Sequence, residues 1–149
     1  MIIKEYILQF AIMFVIGLIL NPMNILANKI SDLYLSPTLV YGAIFMASNM
    51  LWAHELISLL THSNNYKPNF TVILFGLLLS TVSIFLLRNQ VMVGDNAWLR
   101  RMIPHHSTAL TTSKQIINKT KNQKIKDLAA DIIDTQEREI ELMKSLLIN

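Results

Sequence analysis

The chain has 149 residues, of which 52% are hydrophobic and only 15% charged, and its mean hydropathy is +0.41. A soluble domain carries about 25% charged residues, so this chain is too apolar to remain disordered in water and too unevenly built for one soluble globule. Residues 1–87 hold three basic and three acidic residues, whereas residues 88–149 hold ten and seven and so the whole net charge of +3.

Three apolar runs predict membrane helices over about residues 2–20, 39–60 and 70–87, because a bilayer core about 30 Å thick needs about 20 apolar residues in a helix. In the first run, Lys4 and Glu5 lie near the outer end, where they can snorkel. It has the basic residue and apolar core of a signal peptide but no small-x-small cleavage site. With two more runs behind it, a retained span is expected. Asn21-Pro22 ends the first run, Ser36-Pro37 precedes the second, and Asn64–Asn69 forms a turn-rich link to the third. The second run contains Met46, Met50, His54 and Glu55. Ionisable groups inside a span are costly and often functional, but methionine is also an adaptable packer, and His54 and Glu55 are expected to snorkel at the interfacial end.

From Asp95 the pattern becomes helical, with Asp95 the expected N-cap. Trp98, Met102, His105, His106, Ala109, Ser113, Ile116 and Ile117 follow at helical spacing. With Met102 at the centre of this face, His105 stands about 60° to one side and His106 about 40° to the other. Pro104 should bend the helix. Asn118–Gln123 is the link, and a second helix runs from about Lys124 to Ile148. Its stripe is Ile125, Leu128, Ala129, Ile132, Ile133, Ile140, Met143 and Leu147, with Gln136 inside the stripe and Glu139 on its edge.

Folding the pair about residue 121 brings Met102, His105 and His106 opposite Gln136, Glu139, Ile140 and Met143. Polar groups on an apolar face need partners, and a bound metal ion would supply one. Imidazole with thioether suits copper, while imidazole with carboxylate suits iron, zinc or manganese. The other reading is an interhelical hydrogen-bond network without metal. Two helices are too few to close a core, so a four-helix arrangement with a second copy or with the membrane portion is expected. The basic residues of this half are interleaved with acidic ones, which argues against nucleic acid as a partner. The lack of cysteine excludes thiolate ligands.

The run from Asp95 through Trp98 to Met102-Ile-Pro-His-His106 and Leu110 resembles the signature of domain-of-unknown-function family 305. Residues 125–143 are similar to the family's closing helix, and the resemblance covers about residues 95–147. It implies a ferritin-like helical hairpin. Because some members bind copper in the bacterial periplasm through Met and His, it also implies a metal site. Met102, His105, His106 and Met143 become candidate ligands, with Gln136 and Glu139 as supporting or alternative ligands. Asp95 occupies the family's acidic position, where it would cap, ligate or both. Many relatives carry a further Met or a charged residue where Leu110-Thr111-Thr112-Ser113 stands here, which leaves fewer soft ligands.

The expected protein is therefore all-α. A membrane domain (1–88) with three spans is followed by a two-helix domain (89–149) that completes a four-helix bundle as a homodimer. Its expected function is to bind copper or another transition metal for sequestration, tolerance or delivery. The alternative is a structural subunit of a membrane assembly with no metal. Glu139 lacks the His three residues on that di-metal enzymes use, since position 142 is Leu, which argues against an enzyme. Arg100 and Arg101 tilt the positive-inside count slightly toward a cytoplasmic polar half. The resemblance implies the opposite, a bacterial inner-membrane protein with its polar half in the periplasm.

Overall fold

Proline and asparagine break the helices where the hydropathy predicts breaks. The computed structural model describes residues 3–61 and 67–147, and its elements are all helical. They are α1 (Ile3–Ile19), α2 (Pro22–Ile25), a 3-10 turn (Ile30–Asp32), α3 (Pro37–Thr61), α4 (Phe70–Arg88), α5 (Asp95–Lys119) and α6 (Gln123–Leu147). Asn21 caps α2, accepting from the Asn24 N–H at 3.1 Å with Pro22 in the first turn. Asn69 caps α4, accepting from the Val72 N–H at 3.2 Å. Much of the expected link at Asn64–Asn69 lies outside the described residues. Three stretches are long and apolar enough to cross a membrane: Ile3–Ile25, Pro37–Thr61 and Phe70–Arg88.

The chain divides into two units. The first comprises residues 1–19 and 37–92. Within it α3 is central and packs against both α1 and α4. Its burial is inverted relative to a water-soluble bundle. The buried positions of the three helices are mostly small or hydroxylated (Gly17, Ala43, Ala47, Ser48, Gly76, Ser80), while Ile7, Leu74 and Phe85 stand exposed. Small residues let backbones approach where lipid supplies no hydrophobic drive. A Cβ on Gly76 would meet the Ser48 carbonyl oxygen at 3.1 Å and the Trp52 nitrogen at 3.2 Å. Asn49 Oδ1 accepts from the Ser80 hydroxyl at 2.8 Å and the Trp52 indole N–H at 3.0 Å.

Glu55 does not snorkel. It is fully buried, accepts from the Tyr6 hydroxyl and also accepts from the Asn69 N–H at 2.7 Å, so one carboxylate ties α1, α3 and the start of α4. At the far end, α4 closes with the bond pair of a Schellman motif, from the Val91 N–H to the Leu86 oxygen and from the Gln90 N–H to the Leu87 oxygen. Gln90 takes the left-handed position there, with φ 48°.

The second unit comprises residues 20–36 and 93–149. The sequence division places residues 20–36 with the membrane half, but they group with the hairpin. α5 and α6 pack along their length through Leu99, Ile103, Leu110, Ile140 and Met143, with Tyr34, Met102, Ile133 and Leu147 against this core. The link shrinks to residues 120–122, because α5 continues through Lys119. Asp95 is not the N-cap. Gly94 occupies that position and Asp95 is the first helical residue, where its charge still favours the positive end of the helix dipole. α5 also runs unbroken through Pro104, which is buried.

Candidate functional site

The face of α5 that packs is rotated from the expected one. Its buried residues are Leu99, Ile103, Pro104, Ser107, Leu110 and Ser113, centred about 95° from Met102 at about 100° per residue. Residues 20–36 explain the rotation, because α5 packs against them as well as against α6. Asp32 is buried and accepts from the Ser107 hydroxyl at 2.6 Å and from the Lys144 ammonium. Ser107 in turn accepts from the Asn28 N–H at 2.7 Å. The polar residue after the histidine pair thus faces inward because a carboxylate and an amide meet it there.

That rotation separates the two histidines. His105 is exposed and His106 is half-buried at the boundary with α6. Their ring centroids lie 6.0 Å apart with planes at 63°. His106 Nδ1 is shielded from water and 3.0 Å from Glu139 Oε2, but its ring N–H is not directed at that oxygen. The Gln136 amide donates to the same oxygen at 3.2 Å. Burial lowers the His106 pKa below its ordinary 6.5; the charge of Glu139 and its close side-chain contact oppose this, and His105 adds to the lowering. The imidazole is therefore neutral near pH 7 and one ring nitrogen keeps a free lone pair.

The sequence-predicted residues thus separate into groups. His106, Glu139 and Gln136 come together. His105 adjoins them but points away from the core. Met143 is buried in the apolar core and Met102 packs on its edge. Asp95 lies ten residues before His105, about 15 Å along the helix, beside a pocket it shares with Trp98 and Leu146, so it cannot join the histidines on one ion. Among the described residues no three His, Asp or Glu side chains converge on one point.

Asp32, Ser107, Lys144 and Asn28 were not among the sequence candidates. The one available signal was that Asp32 is the only acidic residue between Glu5 and Glu55.

The sequence profile of the family described as Domain of unknown function (DUF305) matches residues 85–147. The Uncharacterized protein L153 of Acanthamoeba polyphaga mimivirus is 35% identical over 128 residues, covering 86% of this chain and 82% of that protein. The chain belongs to the DUF305 family. No solved structure matches it. The relative's coverage extends the similarity of this DUF305 chain beyond the hairpin into the apolar half.

A fit of this DUF305 site to a metal rests on His106. Its shielded Nδ1 lacks an aligned hydrogen bond and stands next to a carboxylate. Neutral imidazole and carboxylate together make a donor pair for a borderline divalent cation, so the residues present fit part of a metal's ligand set.

Proposed function

We propose that this protein is a membrane-anchored transition-metal carrier whose hairpin holds the ion at His106 and Glu139. Gln136 orients the carboxylate, as a hydrogen-bond partner does for a ligating group. Copper is the first candidate because thioether favours it and Met102 and Met143 stand four residues, about one helical turn, from His106 and Glu139 respectively. Zinc is the alternative that the imidazole–carboxylate pair favours. The observation that carries the reading is the shielded Nδ1 beside Glu139 without an aligned hydrogen bond. The role is binding for sequestration, tolerance or delivery, not catalysis.

The test is elemental analysis of detergent-purified full-length protein after loading with copper(II) or zinc(II) and washing with a weak chelator. Parent protein should retain metal, and His106→Ala and the His105→Ala/His106→Ala pair should retain at most a tenth as much. Equal retention by parent and double variant overturns the site.

The bilayer anchors the chain through its three spans, with the hairpin on the periplasmic face of a bacterial inner membrane. That side follows from the resemblance to periplasmic members alone. Because the chain has no cysteine, Ser145→Cys is a unique thiol. Labelling it in intact cells with a membrane-impermeant maleimide supports the outer face, and labelling only after lysis overturns it.

A second reading is a metal-free assembly subunit. It is favoured by the Gln136 amide's hydrogen bond to Glu139 and the close approach of His106 to the same oxygen, which neutralise much of the need for an ion. It predicts that chelation leaves the melting temperature unchanged.

A further inference from the structure

We propose that a second copy of this chain covers one face of the hairpin and that the partner's His105 completes the His106–Glu139 pair into a shared metal site. The inference rests on the metal reading above and adds where the missing donors come from.

Beside the packed core, α5 carries a second line of residues: Trp98, Met102, His105, Ala109, Thr112 and Ile116. On α6 a matching line runs Leu128, Ile132, Thr135, Glu139, Leu142 and Leu146. Both alternate steps of four and three residues, the seam spacing of helices that pack against other helices in a left-handed supercoil. Each seam lies about a third of a turn from the buried face of its own helix. Leu128 and Leu142 are 59% exposed, and Trp98 and Leu146 are 50% exposed. The seams share one side of the hairpin, because His106, on the flank between core and seam of α5, approaches the seam residue Glu139 of α6 to 3.0 Å.

The composition of these lines points to a second copy. Glu139 is the only carboxylate or permanent cation on either seam, and loss of charge with Trp and Met in its place marks the centre of a protein interface. On α6 the order is apolar, apolar, polar, polar, apolar, apolar, which reads the same in both directions. The α5 order is close to this, with His105 and Thr112 inside and Trp98 and Ile116 outside. A twofold axis through the middle of the face therefore lays apolar ends on apolar ends and polar centres on polar centres, as an isologous dimer requires. His105 and Glu139 each lie two residues from the middle of their seam, about 3 Å along the helix. The copies then place two His106–Glu139 pairs and two otherwise exposed His105 side chains around the axis. Among the described residues no third His, Asp or Glu of the same chain joins this pair.

The experiment uses full-length chains in detergent. Ala109→Cys sits near the axis and Arg100→Cys on the opposite side of α5. A short bis-maleimide should link the first into dimers and leave the second as single chains. Leu142→Asp should abolish the link. For the shared site, His105→Ala and His106→Ala are expressed separately, then co-expressed with different tags and purified as the mixed pair. Each alone should retain at most a tenth of the parental copper or zinc, and the mixed pair about half, since one of its two sites is intact.

Linkage at Arg100→Cys, or none at Ala109→Cys, overturns the interface. A mixed pair that retains no more than either parent variant overturns the contribution in trans. Linkage of the Ala109→Cys variant together with no uptake of either metal by the parent protein overturns the metal reading and the shared site, and leaves the dimer face assigned.

Discussion

Burial sets the chemistry of His106. Its pKa lies below that of a free imidazole, so at mildly acidic pH the unfolded chain takes up a proton that the folded chain resists. The metal-free hairpin should keep its full stability above about pH 6.5 and lose some as the pH falls through that value and then through the lower folded pKa. The titratable groups facing this ring are Glu139 and His105. Thermal melts at pH 7.5, 6.0 and 5.0 test this; His106→Gln should flatten the profile, and an unchanged profile would put the titration elsewhere. Asp32 invites a second test. Asp32→Ala removes the acceptor of both Ser107 and Lys144, and an orphaned buried polar group costs about 1–3 kcal/mol, so the hairpin's denaturation midpoint should fall while the three-span unit is unaffected. In that unit, Glu55→Leu should lower the melting temperature of the detergent-solubilised spans and Glu55→Gln should restore part of the loss. An amide oxygen still accepts from Tyr6 or Asn69, at about 1 kcal/mol per net hydrogen bond.

Helix contacts carry their own consequence. Gly76 lets α4 approach the backbone of α3 at Ser48 and Trp52. A side chain there cannot be absorbed by a flexible neighbour, because the two nearest atoms it meets are main-chain atoms. Gly76→Leu should cost about 1–3 kcal/mol, the usual penalty of overpacking, seen as a lower melting temperature in detergent. At this scale the sequence was informative where the signal is local. Hydropathy placed three apolar helices, Asn and Pro marked their breaks, and the two amphipathic helices were placed within a few residues. The phase of α5 was not legible. Taking Met102 as the centre of the buried face assumes that α6 is the sole partner. The segment carrying Asp32 reads as a plain connector, so nothing local says that Ser107 has a buried carboxylate to meet. The error of about 95° moved His105 from the core to the surface, and it left the His106–Glu139 approach, on the flank, correctly anticipated.

For the whole molecule, the two units differ in what they expose. The apolar unit exposes large aliphatic side chains, as lipid-facing helices do, and the hairpin exposes a seam suited to other helices. If the seam pairs two copies, the hairpin's apparent stability should rise with protein-to-detergent ratio, and a metal held at the axis should raise it further. At a free concentration a hundred times the dissociation constant that gain is about 2.7 kcal/mol. Melts across a hundredfold dilution, with and without copper, separate the two contributions; a midpoint independent of both would leave hairpin and ion uncoupled.

The Asp32 anchor also decides how the protein can be dissected. Cutting the gene at the hydropathy boundary would yield a piece that begins near residue 89 and lacks its own internal acid. Ser107 would lose its acceptor and Lys144 its counter-charge, and the groove that residues 20–36 fill would open to solvent. Such a fragment is a poor stand-in for the native hairpin, and splicing residues 20–36 onto it should recover much of the lost cooperativity.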